Sequence, residues 1–90
     1  MAYRVEETPT FTRAFKRLDA GTARHVAQKL QWLSDHPELL RQPMRHLPAD
    51  LHGLQKYRVG DWRVLFWVDH AQRVITLYTV EHRSKVYQRV

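Results

Sequence analysis

No cysteine occurs among the 90 residues, which excludes a disulfide framework, a thiol nucleophile and a thiolate metal site. Glycine is scarce, with Gly21, Gly53 and Gly60 far apart, so there is no glycine-rich loop to cradle a phosphate. No apolar run approaches the roughly 18 residues of a membrane span. The opening stretch from Met1 to Phe11 lacks the apolar segment of a secretory signal. The expectation is therefore a chain without leader or membrane anchor, working in the cytoplasm. There is no repeat, no low-complexity tract and no linker long enough to separate domains. A single domain over residues 1–90 is expected, of a size that buries roughly 60–65% of its unfolded surface in one two-layer core.

Positive charge is in surplus. Fifteen Lys and Arg face nine Asp and Glu, for a net charge of +6. Such a balance on a small body favours a polyanionic partner: RNA, DNA, the ribosome or an acidic protein. The hydrophobic fraction of 43% argues against disorder. The six histidines (His25, His36, His46, His52, His70 and His82) show no compact ligand spacing, so neither a structural nor a catalytic metal is predicted, and no cofactor.

The segment Tyr3 to Glu7 reads as a short strand. Thr8-Pro9 has the form of a helix start, with Thr8 at the N-cap and proline in the first turn. Phe11, Phe15 and Leu18 follow as one apolar stripe, while Thr12, Arg13, Lys16 and Arg17 fill the other face. Asp19 caps a second helix, whose buried stripe is Ala23, Val26, Ala27, Leu30 and Leu33. It ends near Ser34-Asp35-His36, ahead of Pro37. Trp32 lies off that stripe and either faces a partner or covers the loop near Pro37. Residues 37 to 53 are irregular, with one helical turn expected over Glu38 to Arg41.

From Leu54 the period changes to two. Three strands are predicted: Leu54–Val59, Trp62–Asp69 and Arg73–Val80. Gly60-Asp61 forms a two-residue hairpin loop of type II′, and Asp69 to Gln72 a longer turn. The last strand is apolar on both faces and belongs inside the sheet. The fold class is α+β: an N-terminal strand, a two-helix antiparallel hairpin and a three-stranded antiparallel meander, with the helices packed on one sheet face.

The hairpin fixes a register. Val59 faces Trp62, Arg58 faces Arg63, Tyr57 faces Val64 and Lys56 faces Leu65. Lys56, Arg58 and Arg63 then share one face, and Tyr57, Val59, Trp62, Val64 and Phe66 share the core face. Two arginines directly opposed repel. Either an anion lies between the guanidinium groups, or both splay into water, or one pairs with an acid such as Glu81. A polar tail from Glu81, containing His82, Arg83, Lys85 and Tyr87, is expected to bring His82, Arg83 and Tyr87 beside the pair. Histidine can pass protons near neutral pH, and tyrosine can stack on a base. Trp67, on the face of Arg63, either flanks RNA or covers exposed sheet. Arg45 and His46 lie at the rim.

The run from Leu51 to Phe66, LHGLQKYRVGDWRVLF, resembles the L-x-G-L-x-R-x-R-V-G-D-Y-R-V stretch of RelE/ParE-superfamily toxins. Val80 to Tyr87, VEHRSKVY, is similar to that family's V-G-H-R-x-x-V-Y ending. The resemblance covers nearly the whole chain. It implies a microbial-RNase-like toxin held by a cognate antitoxin, touching operator DNA only through the antitoxin complex. RelE-like members cut mRNA in the ribosomal A site without a metal, through attack of the 2′-hydroxyl on the adjacent phosphate. By position, Lys56, Arg58 and Arg63 match the family's basic residues on either side of the turn. Arg83, Tyr87 and His82 match those of its ending. The implied roles are phosphate binding for Arg63 and Arg83, with Lys56 or Arg58 aiding deprotonation of the 2′-hydroxyl. Lys56 is the better suited of these two, since arginine does not readily lose a proton. His82 or Tyr87 is left to protonate the leaving oxygen or stack the base. Arg45, Trp67 and Lys85 are candidate RNA contacts. Two positions depart from the pattern: Glu81 stands at a usual glycine, and Gln55 at a usual aromatic. The same resemblance admits a ParE-like, non-enzymatic inhibitor of DNA gyrase, or a catalytically weak module that binds an antitoxin.

Overall fold

The structure, a computed structural model, describes residues 2–40 and 43–85. Its order is β1 (Arg4–Glu7), α1 (Pro9–Lys16), α2 (Ala20–Asp35), two 3-10 turns (Pro37–Leu39 and Ala49–Leu51), β2 (Gln55–Val59), β3 (Trp62–Asp69) and β4 (Val74–His82). The four strands form one sheet in the order β1-β4-β3-β2. The predicted meander is present, and β4 lies inside the sheet as its two-sided apolar sequence requires. β1 pairs with it in parallel, Arg4 beside Val74 through Glu7 beside Leu77. No helix among the described residues is long and apolar enough to cross a membrane.

Local chemistry explains the helix starts. Thr8 takes an extended backbone, its hydroxyl oxygen accepts from the Phe11 amide, and Pro9 opens the helix. The same hydroxyl donates to the carbonyls of Leu77 and Tyr78, each at 2.9 Å. These carbonyls sit where the β3–β4 register slips: Leu65 faces Thr79 but Phe66 faces Leu77, leaving Tyr78 as the extra residue of a bulge. Thr8 therefore caps α1 and ties it to the bulge of β4. Thr8→Val keeps the shape and removes these bonds. It should lower unfolding free energy by about 1–2 kcal/mol, read as a shifted midpoint in urea at unchanged slope.

α2 starts on Asp19, whose carboxylate accepts from the Thr22 amide and hydroxyl. The Thr22 hydroxyl bond, followed by its amide bond, holds the Asp19 carboxyl below the usual carboxylate value. A depressed folded-state pKa contributes stability above the unfolded value and loses it as pH falls through the folded one. Asp19→Ala should therefore melt lower than the parent at neutral pH. The gap should close on acidification below the usual carboxylate range, as a pH series of melting curves would show.

The core lies between helices and sheet: Phe11, Val26 and Leu33 pack against Val59, Val64, Phe66, Ile75, Leu77 and Val80. Ala27, assigned to the buried stripe, is exposed. It borders an apolar groove of about 210 Å³ with Val5, Phe11, Phe15, Leu30 and Leu77. Trp32 is 42% exposed and stacks on His36, ring centres 4.2 Å apart.

Boundaries move where backbone chemistry intervenes. Arg73 has φ 58°, a left-handed conformation that belongs to the turn, so β4 starts at Val74. The helical turn expected over Glu38 to Arg41 is seen at Pro37–Leu39, and Arg41 lies outside the described residues. β4 also runs two residues beyond Val80, because Glu81 pairs with Arg63 and His82 with Trp62. The segment read as the start of a polar tail is sheet.

Candidate functional site

The Gly60-Asp61 loop delivers the register read from the sequence: Lys56 faces Leu65, Arg58 faces Arg63 and Val59 faces Trp62. Gly60 has φ 60° while Asp61 has a negative φ, which matches the type II′ pattern. Glu81 pairs with Arg63 on the far side. A single row, Arg58–Arg63–Glu81, therefore crosses β2, β3 and β4 on the outer face, away from the helices. Lys56–Leu65–Thr79 is the next row.

These positions differ in access. Lys56 and Arg58, on the edge strand, are exposed. Arg63 is 6% exposed and Glu81 9%. The Arg63 Nη1 donates to the carbonyls of Gly60 and Trp62, both at 2.9 Å. The guanidinium thus folds toward the hairpin loop and binds its carbonyls. Leu65 and Thr79 on this face are also buried, so solvent reaches the outer face chiefly along β2.

His82 does not join this row. Because β4 continues to residue 82, alternation sends Glu81 to the outer face and His82 to the helix face. There its ring meets Trp62 edge-on, centres 5.5 Å apart. The expected gathering of His82 with the arginine pair is corrected by the extra two residues of strand. The His82 Nδ1 lies 3.3 Å from the Ser84 amide, which can only donate, and 3.1 Å from its hydroxyl. Nδ1 is therefore an acceptor, and the neutral ring carries its proton on Nε2.

Arg83 is exposed and opens a helical turn over residues 83–85. Its amide donates to the Asp61 carbonyl at 2.8 Å, which places its backbone against the β2–β3 loop, at the end of the sheet where the Arg63 guanidinium lies. Lys85 is exposed in that turn. Tyr87 lies outside the described residues. Arg45 is exposed in the loop before β2. Trp67 is half-buried, and its indole N–H donates to the His52 carbonyl at 3.0 Å while its ring packs on Tyr78. Its polar edge anchors the 43–54 loop over the outer face. Among the described residues no three His, Asp or Glu side chains gather as a metal site.

The helix side holds a feature that sequence reading passed over. A cleft of about 280 Å³ opens between α1 and the end of β4, lined by Arg13, Arg17, Trp62, His82 and Lys85 among others. The available signal was α1 itself, whose polar face carries Arg13 and Lys16, with Arg17 next, and no acid.

Comparison with known proteins bears on the family. The model of the ParE toxin of the type II toxin–antitoxin system parDE matches residues 5–87. No curated protein matches the chain by sequence. Among solved structures, the RelBE2 toxin–antitoxin complex from Mycobacterium tuberculosis superposes with a TM-score of 0.78 at 26% identity, covering 92% of this chain and 100% of the other. A free mutant of the E. coli toxin RelE gives 0.72 at 19% identity, covering 99% and 94%. The archaeal RelE–RelB complex from Pyrococcus horikoshii gives 0.72 at 21%, covering 94% and 99%. With a family model spanning almost all of its length, the chain belongs to the ParE/RelE family and is a toxin of a type II toxin–antitoxin system.

Proposed function

We propose that this toxin is a metal-independent endoribonuclease that cuts mRNA in the ribosomal A site. The observation that carries the reading is the basic outer face: exposed Arg58 on β2 in register with Arg63 on β3, and exposed Lys56 two residues along β2 on the same face. Like charges directly opposed destabilise a hairpin, and a phosphodiester between or beside them turns that cost into binding energy. Lys56 takes the proton of the 2′-hydroxyl. The 2′-oxygen attacks phosphorus, the bond from phosphorus to the 5′-oxygen breaks, and that oxygen is protonated as it leaves. Arg58 stabilises the charge that builds on the phosphoryl oxygens. Arg63 adds its field from beneath and holds the loop, and Arg83 approaches from the sheet end. His82, on the other side of the sheet, is not the acid in this scheme; Tyr87 takes that role.

Its natural partner on this reading is a cognate antitoxin, as in the toxin–antitoxin complexes that share the fold. The apolar groove between β1, α1 and α2 suits an amphipathic segment.

The second reading, a ParE-like inhibitor of DNA gyrase, draws on the ParE model that matches residues 5–87. Induced expression separates the two. Sequencing of mRNA 5′ ends should show new ends phased to codons within minutes. Unphased ends, together with DNA breaks and blocked supercoiling, would favour gyrase.

A further inference from the structure

We propose that the cleft between α1 and the end of β4 is a second anion site, which takes a backbone phosphate of RNA on the face of the sheet opposite Lys56 and Arg58. Its polar and aromatic lining is Thr10, Arg13 and Arg17 from one side and Trp62, His82 and Lys85 from the other. These groups are almost all donors. A guanidinium and an ammonium accept no hydrogen bond. The His82 Nδ1 is engaged by Ser84, so its remaining nitrogen, Nε2, is the donor. Arg13, Arg17 and Lys85 have no ion pair or side-chain hydrogen bond among the described residues. Glu81 also borders the cleft, at a position whose side chain the register directs to the outer face. Three unspent cations converging on a concave surface repel one another until an anion enters.

The shape favours a nucleotide over a bare ion. A volume of about 280 Å³ lies near the lower end of small-ligand sites, with room for a phosphate and its sugar. Trp62 and His82 supply an aromatic wall of the kind that packs sugars and bases. An acidic peptide is the other polyanion to weigh. Such a segment also needs apolar anchors; the cleft offers Ala14, Leu18 and Val80, but the groove beside β1 is the more apolar of the two. The helices carry further exposed cations, Lys16, Arg24 and Lys29, which add to the positive field on this side of the sheet. Since the sheet separates the two sites, they hold different stretches of RNA. The outer face works on the scissile bond while the cleft anchors the toxin on a neighbouring strand. The inference rests on RNA being the target, but it does not require that this protein cuts it.

The test uses the full chain, with inorganic phosphate and a short RNA as probes. Phosphate titration should shift the His82 ring and Trp62 indole NMR signals, and Arg13→Gln with Arg17→Gln should abolish the shift while leaving the melting curve in place. Kd for the RNA should rise uniformly across sequences, and its salt slope should fall by about 1.4 for two lost contacts on a single strand. Lys85→Gln alone should weaken RNA binding in the same sense. Unmoved His82 signals, or an unchanged salt slope in the double variant, overturn the proposal. So does a shift produced by an acidic peptide but by neither phosphate nor RNA, which would make the cleft a protein-docking surface. If phosphate binds as described and no mRNA is cut by the parent protein, this site stands and the endoribonuclease reading falls.

Discussion

Arg58→Ala should abolish toxicity and mRNA cutting while leaving the protein as stable as its parent. Arg58 is exposed on an edge strand, so its side chain holds no core in place. Surface substitutions of that kind change stability by about 0.5 kcal/mol or less. Removing one of two opposed arginines also relieves repulsion in the hairpin, worth a few tenths of a kcal/mol. The loss falls on the transition state. A preorganised charge aimed at a developing oxyanion contributes about 10²–10³ in rate, and the variant should lose that much in single-turnover cutting of ribosome-bound message. Lys56→Ala should lose at least as much, because it removes the base. A folded Arg58→Ala protein that cuts at the parent rate would remove this residue from the mechanism.

Arg63→Ala should behave differently, losing stability and activity together. Arg63 is nearly as buried as the leucines beside it, and its Nη1 satisfies the carbonyls of Gly60 and Trp62. Hydrogen bonds from a charged donor contribute about 1.5–3 kcal/mol, and truncation also leaves Glu81 beside an emptied position. A loss of about 2 kcal/mol lowers Tm by roughly 8–16 °C in a domain of this size. Arg63→Lys restores the charge but not the planar fork that reaches two carbonyls, so it should recover part of the stability. Calorimetry of the three proteins is the check. An Arg63→Ala variant as stable as the parent would refute the hairpin-holding role.

The contrast between these arginines shows how far sequence reading reaches. Their opposition was legible because a two-residue loop fixes a register by itself, and Gly60 announces that loop. The helix starts at Thr8 and Asp19 were legible for the same reason, since a cap involves only one side chain and a few nearby amides. The burial of Arg63 was not, because it depends on what folds over the outer face from distant parts of the chain. The parallel partnership of β1 with β4 links residues some seventy positions apart, and no pattern within a four-residue strand names its neighbour. The misplacement of His82 has a sharper cause. The second turn is longer and ends at Arg73 in a left-handed conformation, and β4 carries a bulge at Tyr78. Each shifts the alternation of the strand. Polar residues at 81 and 82 looked like a tail, yet backbone pairing with Arg63 and Trp62 continues through both. Once Glu81 is placed on the outer face, its neighbour His82 must face the helices.

The central claim is that the outer face promotes attack by a 2′-hydroxyl, and one substrate tests it. A ribosome programmed with mRNA carrying a single 2′-deoxynucleotide on the 5′ side of the scissile phosphate should bind the toxin and remain uncut. The all-ribose message should be cut there to a 2′,3′-cyclic phosphate and a 5′-hydroxyl. Cutting of the deoxy message, or an all-ribose message left intact under saturating toxin, would contradict the mechanism.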